Sequence, residues 1–413
     1  MTSNWETVQL KDIVQFKTGK LDSNAAEDGG QYPFFTCSPT TLEINTHAFD
    51  TEAVLLAGNN ANGVFAVKYY KGKFNAYQRT YVITPLDKSV VSVKWLYFRI
   101  KHVTSELQKM SVGTATKFLT KKILDAYEVE LPPIDVQEQQ AQILWGLQDK
   151  LDLNNQTNQT LEQIAQAIFK SWFVDFDPVK AKMKGEQPEG MDAETASLFP
   201  EKLVESELGL IPEGWEAGEL SDLMDFNPKR TLKKGTVAPY LDMKNMPTAG
   251  HLALDIYDRE MGSGTKFING DALLARITPC LENGKSAYVD FLEDEQVGWG
   301  STEYIVMRSK SDSYKYFSYF MARFEPFRKF AIQSMTGTSG RQRAQAKTVQ
   351  TMPFVIPPLS ILEKFDELIA ANMKLIKRHG DENKTLAGLR DTLLPKLLSG
   401  EIELDIAEVN LND

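Results

Sequence analysis

Two short loops join flexible backbone to side chains with directional hydrogen-bond groups. One is Gly113-Thr114-Ala115-Thr116-Lys117; the other is Gly337-Thr338-Ser339-Gly340-Arg341-Gln342-Arg343. Arg offers a donor fork that fits guanine, and Asn or Gln fits adenine. Lys or Arg on a phosphate adds affinity and position without choosing a sequence. Residues of the same kinds recur nearby. In the first half of the chain, Asn59, Asn60 and Asn62 cluster between Gly58 and Gly63. Gln78-Arg79 precedes a strand-like run, and Lys17 and Lys20 fall in the loop expected after the first helix. The second half offers Lys229, Arg230, Arg276, Thr278 and Lys285 in matching places. With Thr114, Thr116, Lys117, Thr338, Ser339, Arg341, Gln342 and Arg343, these are the candidate DNA-contacting residues. The run 338–343 is the strongest local candidate, because it joins a flexible backbone to two Arg and a Gln. For any one of these residues the alternative is an ordinary solvated loop.

Covalent or metal chemistry finds little support. Asn283-Gly284-Lys285-Ser286 contains Gly-Lys-Ser, but Pro279 stands where a phosphate-binding loop needs its first Gly. Asp225-Phe226-Asn227-Pro228 has one Pro after Asn, whereas amino-methyltransferases use Asn-Pro-Pro-aromatic, and no glycine-rich cofactor loop precedes it. His47, His102, His251 and His379 lack metal-ligand spacing. The expectation is a non-catalytic chain with no metal site.

The elements that would position these loops are written twice. Trp5-Glu6 and Trp215-Glu216 open the two copies, and Leu10, Asp12 and Phe16 match Leu220, Asp222 and Phe226. Gly113-Thr114 matches Gly337-Thr338, Pro132-Pro133 matches Pro357-Pro358, and Thr160-Leu161 matches Thr385-Leu386. Two long copies are not a stacked solenoid, which needs shorter units and about three of them. The repeat predicts a globular module followed by a helix, twice. The expected fold is α+β: globular domains of mixed α/β structure at 1–133 and 214–358, long helices at 134–174 and 359–400, a linker at 175–213 and a tail at 401–413. Within the first domain, strands are expected at Ala53–Leu56, Val64–Tyr70 and Thr80–Thr84, and a helix from Trp95 to Met110. The middles of the two domains do not align convincingly.

Both long helices carry heptad spacing. In the first, Leu144, Leu147, Leu151, Leu161 and Ile168 follow it, with Asn154 and Asn158 in register; in the second, Ile369, Ile376, Asn383, Leu386, Leu393 and Leu397 do. These positions predict an antiparallel coiled coil relating the two halves by a pseudo-two-fold axis. Asn158 and Asn383 fall at one place in the repeat. They either fix the register of a buried seam or mark a weak, partly open one. A helix of about 37 residues spans roughly 55 Å, a length suited to a pseudo-symmetric ligand such as duplex DNA, whose turn is about 34 Å.

The chain has 413 residues and a formal net charge of −10, which by itself disfavours a nucleic-acid partner. Divided, residues 1–132 carry +2 and residues 214–356 carry +1, whereas 133–213 carry −9 and 357–413 carry −4. The acid lies on helices and linker, so a local basic face remains open to each globular part. Two distant cysteines, Cys37 and Cys280, argue against a disulfide framework and fit a reducing compartment. With no signal-peptide pattern and no apolar run near the roughly 20 residues of a membrane helix, a cytoplasmic protein is expected.

Three segments carry a resemblance: Phe173-Val174-Asp175-Phe176-Asp177-Pro178, Pro188-Glu189-Gly190-Met191, and Ser206-Glu207-Leu208-Gly209 leading to Ile211-Pro212-Glu213-Gly214-Trp215. They closely resemble the specificity subunit of Type I restriction-modification systems, over essentially the whole chain. The resemblance implies that each globular domain is a target recognition domain reading one half of a split double-stranded DNA sequence. It implies an antiparallel coiled coil that sets the unread gap. It also implies docking of two methyltransferase subunits along the helices and of restriction-translocase subunits through them. S-adenosylmethionine, ATP and magnesium would then belong to those partners, with no cofactor on this chain. Other readings are a coiled-coil adaptor with twin protein- or glycan-binding domains, and a subunit serving modification alone.

Overall fold

The computed structural model describes residues 5–61, 63–338 and 341–404. The chain divides into two compact units. Unit 1 contains the first globular part, to residue 152, with residues 384–404, and unit 2 contains residues 153–383.

In unit 1, Glu6–Gln9 pairs antiparallel with Glu128–Leu131, closing the globular part where the Trp-Glu opening meets the Pro-Pro ending. The central sheet is built on β1 (Val14–Thr18), β2 (Phe49–Ala57), β3 (Val67–Ala76) and β4 (Thr80–Pro85), in the order β1-β4-β2-β3. Strands Tyr32–Phe35 and Leu42–Ile44 extend it beyond β3. The run Ala53–Ala57 is buried throughout because β2 is covered on both faces. Val54 and Leu56 pack with Trp95 and Leu96 of the helix Val93–His102. Ala53 and Leu55 point the other way, against Phe35, Phe74 and Val82. Each fully buried Val or Leu contributes about 1.5–3 kcal/mol. The single helix expected from Trp95 to Met110 is two helices, Val93–His102 and Thr104–Met110, broken at Val103. Periodicity does not register such a break, because the apolar face continues across it.

Unit 2 repeats this plan where the sequences do not align. Glu216–Glu219 pairs with Pro353–Ile356. Strands β5 (Met224–Phe226), β6 (Ala272–Ala275), β7 (Ser286–Tyr288) and β8 (Tyr304–Ser309) form a sheet of order β5-β8-β6-β7. The four labelled strands of each central sheet therefore lie in the same order, first, fourth, second and third, and unit 1 adds two further strands beyond β3. As in β2, alternate β6 residues face different cores: Ala272 and Leu274 one way, Leu273 and Ala275 the other. The helix Phe317–Arg323 takes the place of the Trp95 helix and is almost wholly buried. Unit 2 adds a second four-stranded sheet, ordered Tyr257–Glu260, Val237–Leu241, Gly298–Gly300, Thr265–Phe267. Those insertions explain why the middles resist alignment.

The segment between the copies is packed. Trp172, Phe173, Phe199 and Trp215 are buried, with Trp172 and Phe199 centroids 5.0 Å apart. Leu203–Ser206 and Gly209–Pro212 form a hairpin.

Helix α1 (Ile134–Lys170) and helix α2 (Leu359–Leu398) run antiparallel within each unit, since contacts on α2 advance as those on α1 recede. In unit 1, Arg390 donates to Gln148 (3.0 Å) and Gln140 to the Leu397 carbonyl (2.5 Å). Leu144 and Leu397 are buried there, and Leu393 is half-buried. In unit 2 the seam is polar and satisfied. Asn154 donates to Glu382 and Asn383 (both 2.9 Å), and Asn383 donates to Asn155 (2.9 Å). Asn158 bonds His379 Nδ1 (2.8 Å) and the Ile376 carbonyl (3.4 Å). Ile369 and Ile376 are buried beside them, and Leu161 and Ile168 half-buried. Among the described residues no helix is long and apolar enough to cross a membrane.

Candidate nucleic-acid interface

The loops singled out by residue type gather at one end of each central sheet. In unit 1, β2 runs into Gly58, whose N–H donates to the Arg79 carbonyl and whose carbonyl accepts from Leu119 N–H, both at 2.8 Å. A side chain at Gly58 would press on that Arg79 carbonyl, its Cβ falling 2.4 Å away. Asn59 and Asn60 then pair with Phe118 and Lys117. The Gly113 loop closes back on Phe118 through Val112. Gly113 holds φ +106°, and a Cβ there would lie 2.1 Å from the Thr116 carbonyl, so this loop requires glycine. Arg79 is exposed and lies over the Phe118 ring, 5.3 Å from its centroid, a cation–π platform. Leu21 bridges to Tyr77, bringing exposed Lys20 beside Gln78 and Arg79. Gln78 donates to Asp22 (3.2 Å). Thr114 is exposed, and Thr116 and Lys117 are half-buried. Lys17 is not in a loop: it is exposed on β1, paired with Val82, because the helix before it is a single turn.

Unit 2 builds the same frame from different side chains. Arg276 follows β6 as Gly58 follows β2. Its N–H donates to the Glu303 carbonyl (2.9 Å), and its carbonyl accepts from Ala344 N–H (2.8 Å). Ile277 bridges to Arg343, and Arg343 to Thr336. Thr278 N–H reaches the Gln342 carbonyl (3.2 Å). Gly337 holds φ +125°, as Gly113 holds its own left-handed turn. Thus Glu303 occupies the place of Arg79, and Arg343 that of Phe118. The Arg343 guanidinium donates to the Glu303 carboxylate through Nε (2.9 Å) and a terminal nitrogen (2.8 Å). That bonding raises its pKa above the ordinary Arg value. Arg276 Nε lies 3.7 Å from the same carboxylate. Thr338 and Arg341 are exposed, joined by a turn bond of 3.0 Å.

Three unit 2 candidates lie outside this cluster or are otherwise engaged. Arg230 donates to Asp271 (2.9 Å), a fully buried carboxylate that Arg308 also contacts (3.1 Å). Asp271 precedes β6 whereas Arg276 follows it, so Arg230 sits at the opposite strand end, roughly 16 Å away at about 3.3 Å per residue. The Lys285 ammonium donates to the carbonyls of Met243 (2.7 Å) and Lys244 (3.4 Å). That leaves it ill placed to cradle a phosphate. Lys229 is exposed next to Arg230. Asn62 and Ser339 lie outside the described residues.

Residue type alone missed Glu303 and Phe118, the groups that position the guanidiniums. Their only signal is location: each reaches its Arg across about 40 residues of sequence, joined by sheet topology. Among the described residues no group of three or more His, Cys, Asp or Glu side chains converges in a way that could hold a metal ion.

Comparison with known proteins bears on this arrangement. The family described as Type I restriction modification DNA specificity domain matches residues 2–163 and 212–383. The chain is 28% identical to the Type I restriction enzyme EcoDI specificity subunit of Escherichia coli, over 97% of this chain and 89% of that protein. It is 26% identical to the HindI specificity subunit of Haemophilus influenzae, over 97% and 100%. Among solved structures, the Type I restriction-modification S subunit from M. genitalium superposes with TM-score 0.62, covering 95% of this chain and 96% of that one at 14% identity, a likeness of fold.

Proposed function

This chain belongs to the Type I restriction modification DNA specificity family, and from that premise we propose that it is the sequence-reading subunit of such a complex. Each globular part reads one half of a split DNA target through the loop frame at its sheet end. Helices α1 and α2 set the unread gap and carry the surface on which methyltransferase and restriction-translocase subunits assemble. Those partners hold S-adenosylmethionine, ATP and magnesium, and this chain supplies recognition without catalysis. One observation carries the reading: the same backbone frame occurs at the same place in two sheets that share an order of four strands, with different donors and acceptors on it. A conserved frame with exchanged side chains suits two half-sites of different sequence. Near-neutral globular parts suit a subunit whose basic channel is completed by its partners, so the isolated chain binds DNA weakly, and the salt dependence steepens once the partners add their phosphate contacts.

The test is a domain exchange. Residues 1–133 are replaced by the equivalent part of a relative, and the selected DNA site is mapped in the presence of the modification partners. One half of the recognised sequence changes and the other is retained. A change in both halves refutes modular reading. Failure of the assembled complex to retain any duplex DNA favours a protein- or glycan-binding adaptor instead. Adding a heptad to both helices lengthens the gap and leaves both half-sites as they were.

A further inference from the structure

We infer that Arg343 reads a guanine in the half-site contacted by unit 2, and that Glu303 is its positioning residue. The inference deepens the DNA-specificity reading and rests on it.

A guanidinium has five N–H donors and no acceptor. In Arg343, Nε donates to both Glu303 oxygens (2.9 Å each) and Nη2 to one of them (2.8 Å). Nη1 donates to the Arg341 carbonyl (3.0 Å). Among the described residues no bond takes the second N–H of either terminal nitrogen, which leaves the two donors needed to meet guanine O6 and N7 together. The side chain is 35% exposed, so the group is held yet reachable. The support is itself fixed. Glu303 accepts Arg276 N–H at its carbonyl and donates its own N–H to Ser301 Oγ (3.1 Å). Arg343 is bridged through its backbone to both Ile277 and Thr336.

The carboxylate discriminates between two roles. A phosphate contact needs only a mobile cation, and an acid beside it would repel the phosphate. A base-edge contact gains from a partner that fixes the fork before binding, because less side-chain freedom is then lost on association. Unit 1 shows the contrast. At the matched pair of positions it has Arg79 and Phe118, so the guanidinium sits on the other strand and rests on a ring instead of an acid. The two half-sites are thus met by guanidiniums at different places in one frame.

The full chain with its modification partners is tested against a duplex library randomised across both half-sites, unit 2's half having been identified by the domain exchange. Wild type requires guanine at one position of that half. Replacing that guanine by 7-deazaguanine, which lacks N7, weakens wild-type binding by about 5- to 150-fold. Arg343→Ala no longer distinguishes the two bases. Glu303→Gln keeps the shape, loses preference at that position alone, and does not lose affinity for mixed DNA, since a negative charge has gone. Preference at the remaining positions of unit 2's half persists in every variant and reports correct folding of unit 2. The inference is overturned if 7-deazaguanine is tolerated at every guanine of that half, a result needing no variant. It is equally overturned if Arg343→Ala and Glu303→Gln weaken binding uniformly with the guanine requirement intact. Absence of sequence preference in wild type would instead overturn the DNA-specificity reading itself.

Discussion

Replacing Asp366 by Asn should stabilise unit 2 at neutral pH and remove part of its pH dependence. Asp366 lies on α2, buried to 7% exposure, and accepts the Tyr316 N–H at 2.8 Å. Burial pushes its pKa up to about 6, against opposing pulls from that hydrogen bond and from Lys315. An unfolded Asp ionises near 3.9, so the difference is about two units, worth at most about 3 kcal/mol. Relaxation and solvent penetration reduce this to roughly 1–2 kcal/mol. The sign follows from the order of the two pKa values. Below about pH 4 both states hold the proton and Asp366 carries no penalty. Between about pH 4 and 6 the unfolded chain ionises while the folded one stays protonated, so stability falls as pH rises. Above about pH 6 the penalty is constant. Asn keeps the acceptor for Tyr316 and never ionises. Urea unfolding of both proteins from pH 4 to 8 measures the gap, and other titrating groups cancel in the difference. Asp366→Asn gains roughly 1–2 kcal/mol over wild type by pH 7, and the gain closes toward pH 4. A gap independent of pH, or a wild type that gains on the variant as pH rises, refutes the reasoning.

Three further outcomes follow from local geometry. Gly113→Ala places a Cβ against the Thr116 carbonyl at φ +106°, a strain of about 1–3 kcal/mol; site selection should show the unit 1 half-site preference blurred and the unit 2 half intact. Arg230→Ala leaves buried Asp271 with Arg308 and the Ile268 N–H (2.9 Å); thermal unfolding should show a loss of about 1–3 kcal/mol, whereas the recognised sequence should be unchanged, which would separate this residue from the DNA contacts. Gln140→Ala removes the acceptor of the Trp95 indole N–H (2.9 Å) and the donor to the Leu397 carbonyl; two buried polar groups lose partners, and denaturant unfolding of unit 1 should lose about 2–4 kcal/mol.

The repeated frame was legible because its signals are local. Trp-Glu, Pro-Pro and heptad spacing each lie within a few residues of one another, and each maps onto a strand edge, a strand-to-helix junction or a helix face. The strand runs were legible where β-branched and aromatic residues concentrate, as in Ala53–Leu56. The break at Val103 was not, since it leaves the apolar periodicity undisturbed. The common strand order of the two sheets was hidden for another reason. Unit 2 inserts a second sheet between the same strands, which breaks alignment without altering which strands pair.

By itself the sequence determined the duplicated plan, the paired helices and the kinds of side chain offered at the loops, because propensity, periodicity and turn chemistry act over short spans of chain. Tertiary structure decided which of those side chains are free. Arg343 and Glu303 meet across 40 residues, and Arg230 is taken by Asp271 across 41. Such contacts depend on sheet order, and sheet order on loop closure and packing summed over the whole domain. A charged residue in a loop can reach a ligand or neutralise a buried partner, and only the folded neighbourhood selects between the two.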